Sequence, residues 1–89
     1  MTDMLRVQRF VQDVIQHNDA VAHSMQLVHI TPELVHRATH APFDVVQAYF
    51  RAHARELEAH RCDSGFLSDE HGRRHNALRQ QVINVLTTY

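Results

Sequence analysis

Histidine dominates the reactive side chains of this sequence. Nine of the 89 residues are His, beside nine Arg, no Lys, ten carboxylates and one cysteine, Cys62. His36 and His40 stand four apart, His71 and His75 do the same, and His60-Arg61-Cys62 sets a nitrogen and a sulfur two positions from each other. On a helix, HxxxH spacing puts two imidazoles on one face, within reach of a shared zinc or nickel ion. A four-ligand set from His60, Cys62, His71 and His75 would turn that region into a metal sensor. A chain this rich in His nevertheless generates such pairs by chance. Neither pair comes with the third and fourth ligands of a known pattern, and HExxH is absent. The expectation is therefore no metal site and no cofactor. Cys62 with His60 or His71 lacks an orienting third group and an oxyanion hole, and a chain this short leaves little volume for a substrate cleft, so no catalytic residue is expected. With ordinary pKa values near 6.5, the histidines should make the surface more cationic between about pH 7 and pH 5.5, favouring anions at the acid end.

Composition bounds the elements that must carry these groups. A chain of this length is enough for one small domain, 1–89, with one core. At 44% hydrophobic and 21% charged residues, with two Gly and two Pro, it is globular and leans helical. A net charge of −1 argues against a protein that coats nucleic acid nonspecifically, while leaving room for a local basic patch. No apolar run approaches membrane-spanning length, and Met1-Thr2-Asp3-Met4 lacks the basic flank and apolar core of a signal peptide. A lone cysteine forms no internal disulfide and suits a reducing compartment. The expected protein is soluble and cytoplasmic, with no membrane partner.

Met4, Val7, Phe10, Val11, Val14 and Ile15 recur at helical spacing and predict a first helix from Met4 to about His17. His17-Asn18-Asp19 could end it, yet Ala20, Val21, Ala22 and Met25 could equally prolong the same stripe. QLVHI, 26–30, reads as a short strand or an extended connection. Thr31-Pro32-Glu33 then carries a hydroxyl cap, a first-turn proline and an acid at the positive helix end. This second helix should bury Leu34, Val35 and Ala38 and stop by about His40, ahead of Pro42. Pro42 opens a third helix, about 42–60, with Val45, Val46, Tyr49, Phe50, Ala54 and Leu57 inward and Asp44, Gln47, Arg51, Arg55 and Glu58 outward. Arg61 to Gly65 reads as a loop. Two readings of 66–77 stay open: a β-hairpin turning at Ser68–Gly72, or a helix capped by Ser68 that tolerates Gly72. Leu78, Val82, Val85, Leu86 and Tyr89 predict a C-terminal helix over 78–89 in either case.

In this order, the first helix, QLVHI, TPELVHRATHAPFDVVQAYF and then LEAHRCDSGFLSDEHGRR resemble a winged helix-turn-helix domain. The resemblance spans Met4 to about Leu78. It implies a mainly α fold: a three-helix core, a small β-hairpin wing at 66–77 and an appended C-terminal helix of the kind that makes dimers. The motif departs from the pattern at the first helix, where the usual small residue is Val35 or His36, and at the turn, where the usual Gly is Thr39 or His40. Carried onto this sequence, the resemblance makes the helix after Pro42 a recognition helix in the major groove of double-stranded DNA. Gln47 would pair with adenine and Arg51 with guanine, while Arg55, Arg73 and Arg74 would hold phosphates. The implied function is a small DNA-binding transcriptional regulator acting as a homodimer. The alternative is a helical protein-interaction module that modulates a larger protein or complex, as the near-neutral charge suggests.

Overall fold

The computed structural model describes residues 2–21, 27–66, 68–78 and 80–86. Among them the chain forms six helices and no strand, so the mainly α expectation stands. The first, α1 (Asp3–Ala20), starts where extended Thr2 accepts a hydrogen bond from the Leu5 N–H at 3.2 Å. That bond satisfies one of the amides every helix start leaves open. Val7, Phe10, Val11 and Val14 lie on its inward face and are almost fully buried. Ile15 is half-buried and Met4 exposed, so the stripe is narrower than its spacing suggested. The helix runs through His17-Asn18-Asp19 to Ala20, and Val21 caps it in extended geometry. Ala22 and Met25 lie outside the described residues.

Leu27 to Ile30 cross the molecule as an extended connection, with Val28, His29 and Ile30 buried. Backbone N–H and C=O groups in such a place must find partners, and no strand among the described residues supplies them. Two asparagines do so instead. From α1, Asn18 donates through Nδ2 to the Val28 carbonyl at 2.8 Å and accepts the Val28 N–H at 2.9 Å. In extended backbone the next residue presents its polar groups to the opposite side. There Asn76 repeats the arrangement on His29, accepting its N–H at 2.9 Å and donating to its carbonyl at 2.8 Å. The His75 imidazole adds a hydrogen bond from Nε2 to the Leu27 carbonyl at 2.7 Å.

Helix α2 (Pro32–Thr39) begins as its sequence predicts: Thr31 accepts the Leu34 N–H at 3.1 Å, Pro32 occupies the first turn, and Glu33 stands at the positive end. It buries Leu34, Val35, Ala38 and Thr39 and stops at His40. Pro42 leads into α3 (Phe43–Ala52), which buries Val46 and Tyr49. Helices α1, α2 and α3 all pack on one another and hold most of the core.

Three expectations need correction. The single long helix over 42–60 is broken at His53 (φ −116°, ψ 26°), after which α4 (Ala54–Asp63) continues with no buried residue and with Ala54 exposed. Neither proline nor glycine lies between Phe43 and Asp63; the Tyr49 ring stacks on the His53 imidazole at 4.2 Å and 26° where the two helices meet. Helix α4 also absorbs the start of the expected loop, ending at Ser64 before Gly65, whose φ of 81° is the left-handed conformation glycine accepts freely. Secondly, of the two readings open for 66–77 the hairpin wing gives way to the Ser68-capped helix, α5 (Asp69–Ala77), in which Ser68 accepts the His71 N–H at 3.2 Å. Gly72 weakens a helix by about 1 kcal/mol relative to Ala, but packing requires it. A Cβ there would stand 2.2 Å from ring carbons of buried His29. Thirdly, the C-terminal helix is α6 (Gln80–Leu86), and Leu78 caps α5 instead of starting it. The interruption at Leu78 resets the helical phase. Leu78 and Val85 consequently face solvent at 74% and 76% exposure, Val82 and Leu86 are half-buried, and Ile83 enters the core. Tyr89 lies outside the described residues.

The asparagine clamps set a stability prediction. Asn18→Ala strips partners from a buried N–H and a buried C=O together, which costs about 2–5 kcal/mol, a large share of the 5–15 kcal/mol that holds a typical small domain together. Asn76→Ala, at a half-buried site open to water, should cost less. Urea titrations followed by circular dichroism measure both. A loss below about 1 kcal/mol for Asn18→Ala would show that the connection is held by something else.

Candidate functional site

The turn between α2 and α3 determines where the outward face of α3 points. His40 closes α2 in the left-handed region (φ 59°, ψ 14°), the one non-glycine residue with positive φ among those described. The sequence pattern placed the motif's usual glycine at Thr39 or His40, and His40 takes the backbone conformation for which glycine is favoured. Side chains fasten the turn around it. Thr39 Oγ1 donates to the Val35 carbonyl at 2.7 Å and accepts the Ala41 N–H at 3.2 Å. The His36 imidazole donates from Nδ1 to the Ala41 carbonyl at 2.7 Å and meets the Phe43 ring edge-on at 5.5 Å. His36 thus fastens the turn through its imidazole, and His40 through its backbone.

Beyond the turn, α3 exposes Asp44, Gln47 and Arg51 on the side opposite Val46 and Tyr49. Neither Gln47 nor Arg51 is hydrogen bonded or ion paired to a described side chain. The Tyr49 hydroxyl is pushed above its ordinary pKa by burial and, secondarily, by the nearby Glu56 carboxylate, so it stays neutral across the physiological range. Arg55 lies past the bend, exposed on α4. Further along α4, Arg61 pairs with Glu58 and donates to the Phe66 carbonyl, and the guanidinium holds the Glu58 carboxyl below its usual range.

Arg73 and Arg74, expected on a wing, stand on α5. Arg73 meets Glu33 of α2 at 3.2 Å, and Arg74 meets Glu70 one turn back at 2.7 Å. The five residues singled out from the sequence therefore occupy three helices: Gln47 and Arg51 on α3, Arg55 on α4, Arg73 and Arg74 on α5.

A second cluster gathers around Phe66. Its buried ring lies 5.1 Å from the rings of His29 and His75 and 5.9 Å from His71. Among the described residues no three His, Cys, Asp or Glu side chains converge as metal ligands, and His60, Cys62, His71 and His75 are not gathered into one set. Cys62 is exposed. His60 instead joins the clamp: Asn18 Nδ2, fixed as a donor by its bond to Val28, lies 3.2 Å from His60 Nε2. That nitrogen can accept only while the imidazole is neutral. No described helix is long and apolar enough to cross a membrane. No protein-family model matches the chain, and no curated protein or solved structure matches it either.

The clamp roles of Asn18 and Asn76 and the close packing of His29 on Gly72 are not announced by helical spacing or motif. One signal is present in the sequence: if 66–77 is a helix, the extended QLVHI has no strand to pair with and its backbone groups must be met by side chains.

The His60 arrangement fixes a pH dependence. Burial, reinforced by repulsion from His29, lowers the His60 pKa from the ordinary 6.5, against an opposing pull from Asp19 and Asp63. The unfolded chain then takes up a proton at a pH where the folded chain resists it. Stability is whole above about pH 6.5 and falls as pH drops toward the lowered folded value. His60→Gln retains an acceptor for Asn18 without titrating, so it should flatten the change in urea midpoint between about pH 7.5 and pH 5.5. An unaltered slope would assign the acid sensitivity to other histidines.

Proposed function

We propose that this protein is a small DNA-binding regulator that presents α3 to the major groove. The observation that carries the reading is the short α2–α3 connection closed by left-handed His40, which leaves Gln47 and Arg51 outward and unengaged on a helix braced by α1 and α2. In this reading Gln47 pairs with adenine, Arg51 with guanine, and Arg55 takes a phosphate beyond the bend. Arg73 and Arg74 are exposed, and surface ion pairs such as theirs with Glu33 and Glu70 are worth about 0–1 kcal/mol. A phosphate can therefore displace either carboxylate, from a helix and not from a wing. Two copies would bind together, with exposed Leu78 and Val85 of the C-terminal region and Met4 and Leu5 of α1 as the surfaces that pair them.

One observation favours a second reading, a helical protein-interaction module: with Arg73 and Arg74 matched by carboxylates, the outward cationic face is small for a chain of net charge −1. Fluorescence anisotropy with duplex fragments from the gene's own upstream region separates the two. The DNA reading expects saturable, salt-sensitive binding that Arg51→Ala weakens by about 1–3 kcal/mol, roughly five- to 150-fold. Arg73→Ala should lower affinity less and similarly on every sequence. No saturable binding at micromolar protein in low salt would transfer the function to the interaction module.

A further inference from the structure

Between α1 and the end of α2 lies a cleft of about 600 Å³ that none of the foregoing uses. That volume falls within the roughly 300–1,000 Å³ of small-molecule sites. We propose that it binds a small organic anion with an apolar body, of the aryl or short-chain carboxylate class. The site stands independently of the DNA reading.

The lining divides into a floor and a rim. Phe10 and Ala38, both buried, make an apolar floor. Arg6 and Arg9, three residues apart on α1, stand over it from one side, and Thr39 and His40 from the other. Arg6 is tied to Asp3, whereas Arg9 is exposed and pairs with no described carboxylate. Asp13 is the one acid among the described lining residues. The cation of this lining with no described carboxylate partner is the Arg9 guanidinium, and the His40 imidazole stands across from it as a hydrogen-bonding group. The negative end of the α2 dipole opposes an anion close to His40, so the carboxylate belongs on the α1 side, against the planar donor fork of Arg9, with its apolar body over Phe10. The His40 side chain, placed by the left-handed end of α2, borders the same cleft.

The test is a titration of the whole protein with benzoate, followed by two-dimensional amide NMR, with benzamide as the neutral control of matching shape. Benzoate should shift the amides of Arg9, Phe10, Thr39 and His40 in a saturable way with a Kd of about 1 mM, as expected for so small a ligand, and benzamide should bind at least about fivefold more weakly. Arg9→Gln, on an exposed helix face, should reduce benzoate affinity by about fivefold or more. His40→Gly removes the imidazole while suiting the left-handed turn, so it should weaken binding and leave the fold intact. Equal shifts with benzamide, shifts indifferent to Arg9→Gln, or no saturable shift at about 10 mM benzoate would each overturn the proposal.

Discussion

The described fold depends on satisfying the backbone of an extended segment, Leu27 to Ile30, that pairs with no strand among the described residues. Leu27 to Ile30 pass between α1 on one side and α5 on the other, and their amides are met by amide side chains that imitate a neighbouring strand. An asparagine can do this because one short side chain carries both a donor and an acceptor, matching the two polar groups of one residue. The arrangement ties together parts of the chain far apart in sequence: Asn18 lies ten residues from its partner and Asn76 lies 47 from its own. Once Val28 and His29 are placed, Ile30 enters the core and Thr31 stands ready to cap α2.

The α2–α3 unit inherits its position from that anchor. With α2 starting at a fixed point and ending at His40, α3 lies across α1 and α2 with one face buried and one face free. The floor of the α1–α2 cleft and the outward face of α3 are accordingly set by the same packing. Apolar side chains supply most of the cohesion here, each fully buried one contributing about 1.5–3 kcal/mol. The amide clamps decide which arrangement of those apolar groups is reached.

Local signals in the sequence located most of the helices. Thr31-Pro32-Glu33, the stripe from Val7 to Val14 and the break before Pro42 were all legible because each depends on residues within a turn or two of one another. Long-range packing decided the rest. The Ser68 cap was a local signal for the helix at 66–77, but the glycine within it answers to His29, more than forty residues away, whose ring occupies the space over Gly72. The bend at His53 accompanies the stack with Tyr49, which no composition rule singles out. Among the side chains named for DNA, exposure was legible from helical periodicity, but the pairing of Arg73 with Glu33 was not, since nothing local links positions forty apart.

The contact between Gly72 and His29 also restricts how this chain can change. Any side chain added at 72 collides with the imidazole, although alanine would otherwise make the better helix. Shrinking His29 alone opens a void beside Phe66. Each single step is disfavoured from either end, while a joint replacement, small at 29 and larger at 72, conserves the volume between them. Descendants of this sequence should therefore keep both residues or exchange both, and a tally of paired variation would show the two positions moving in concert.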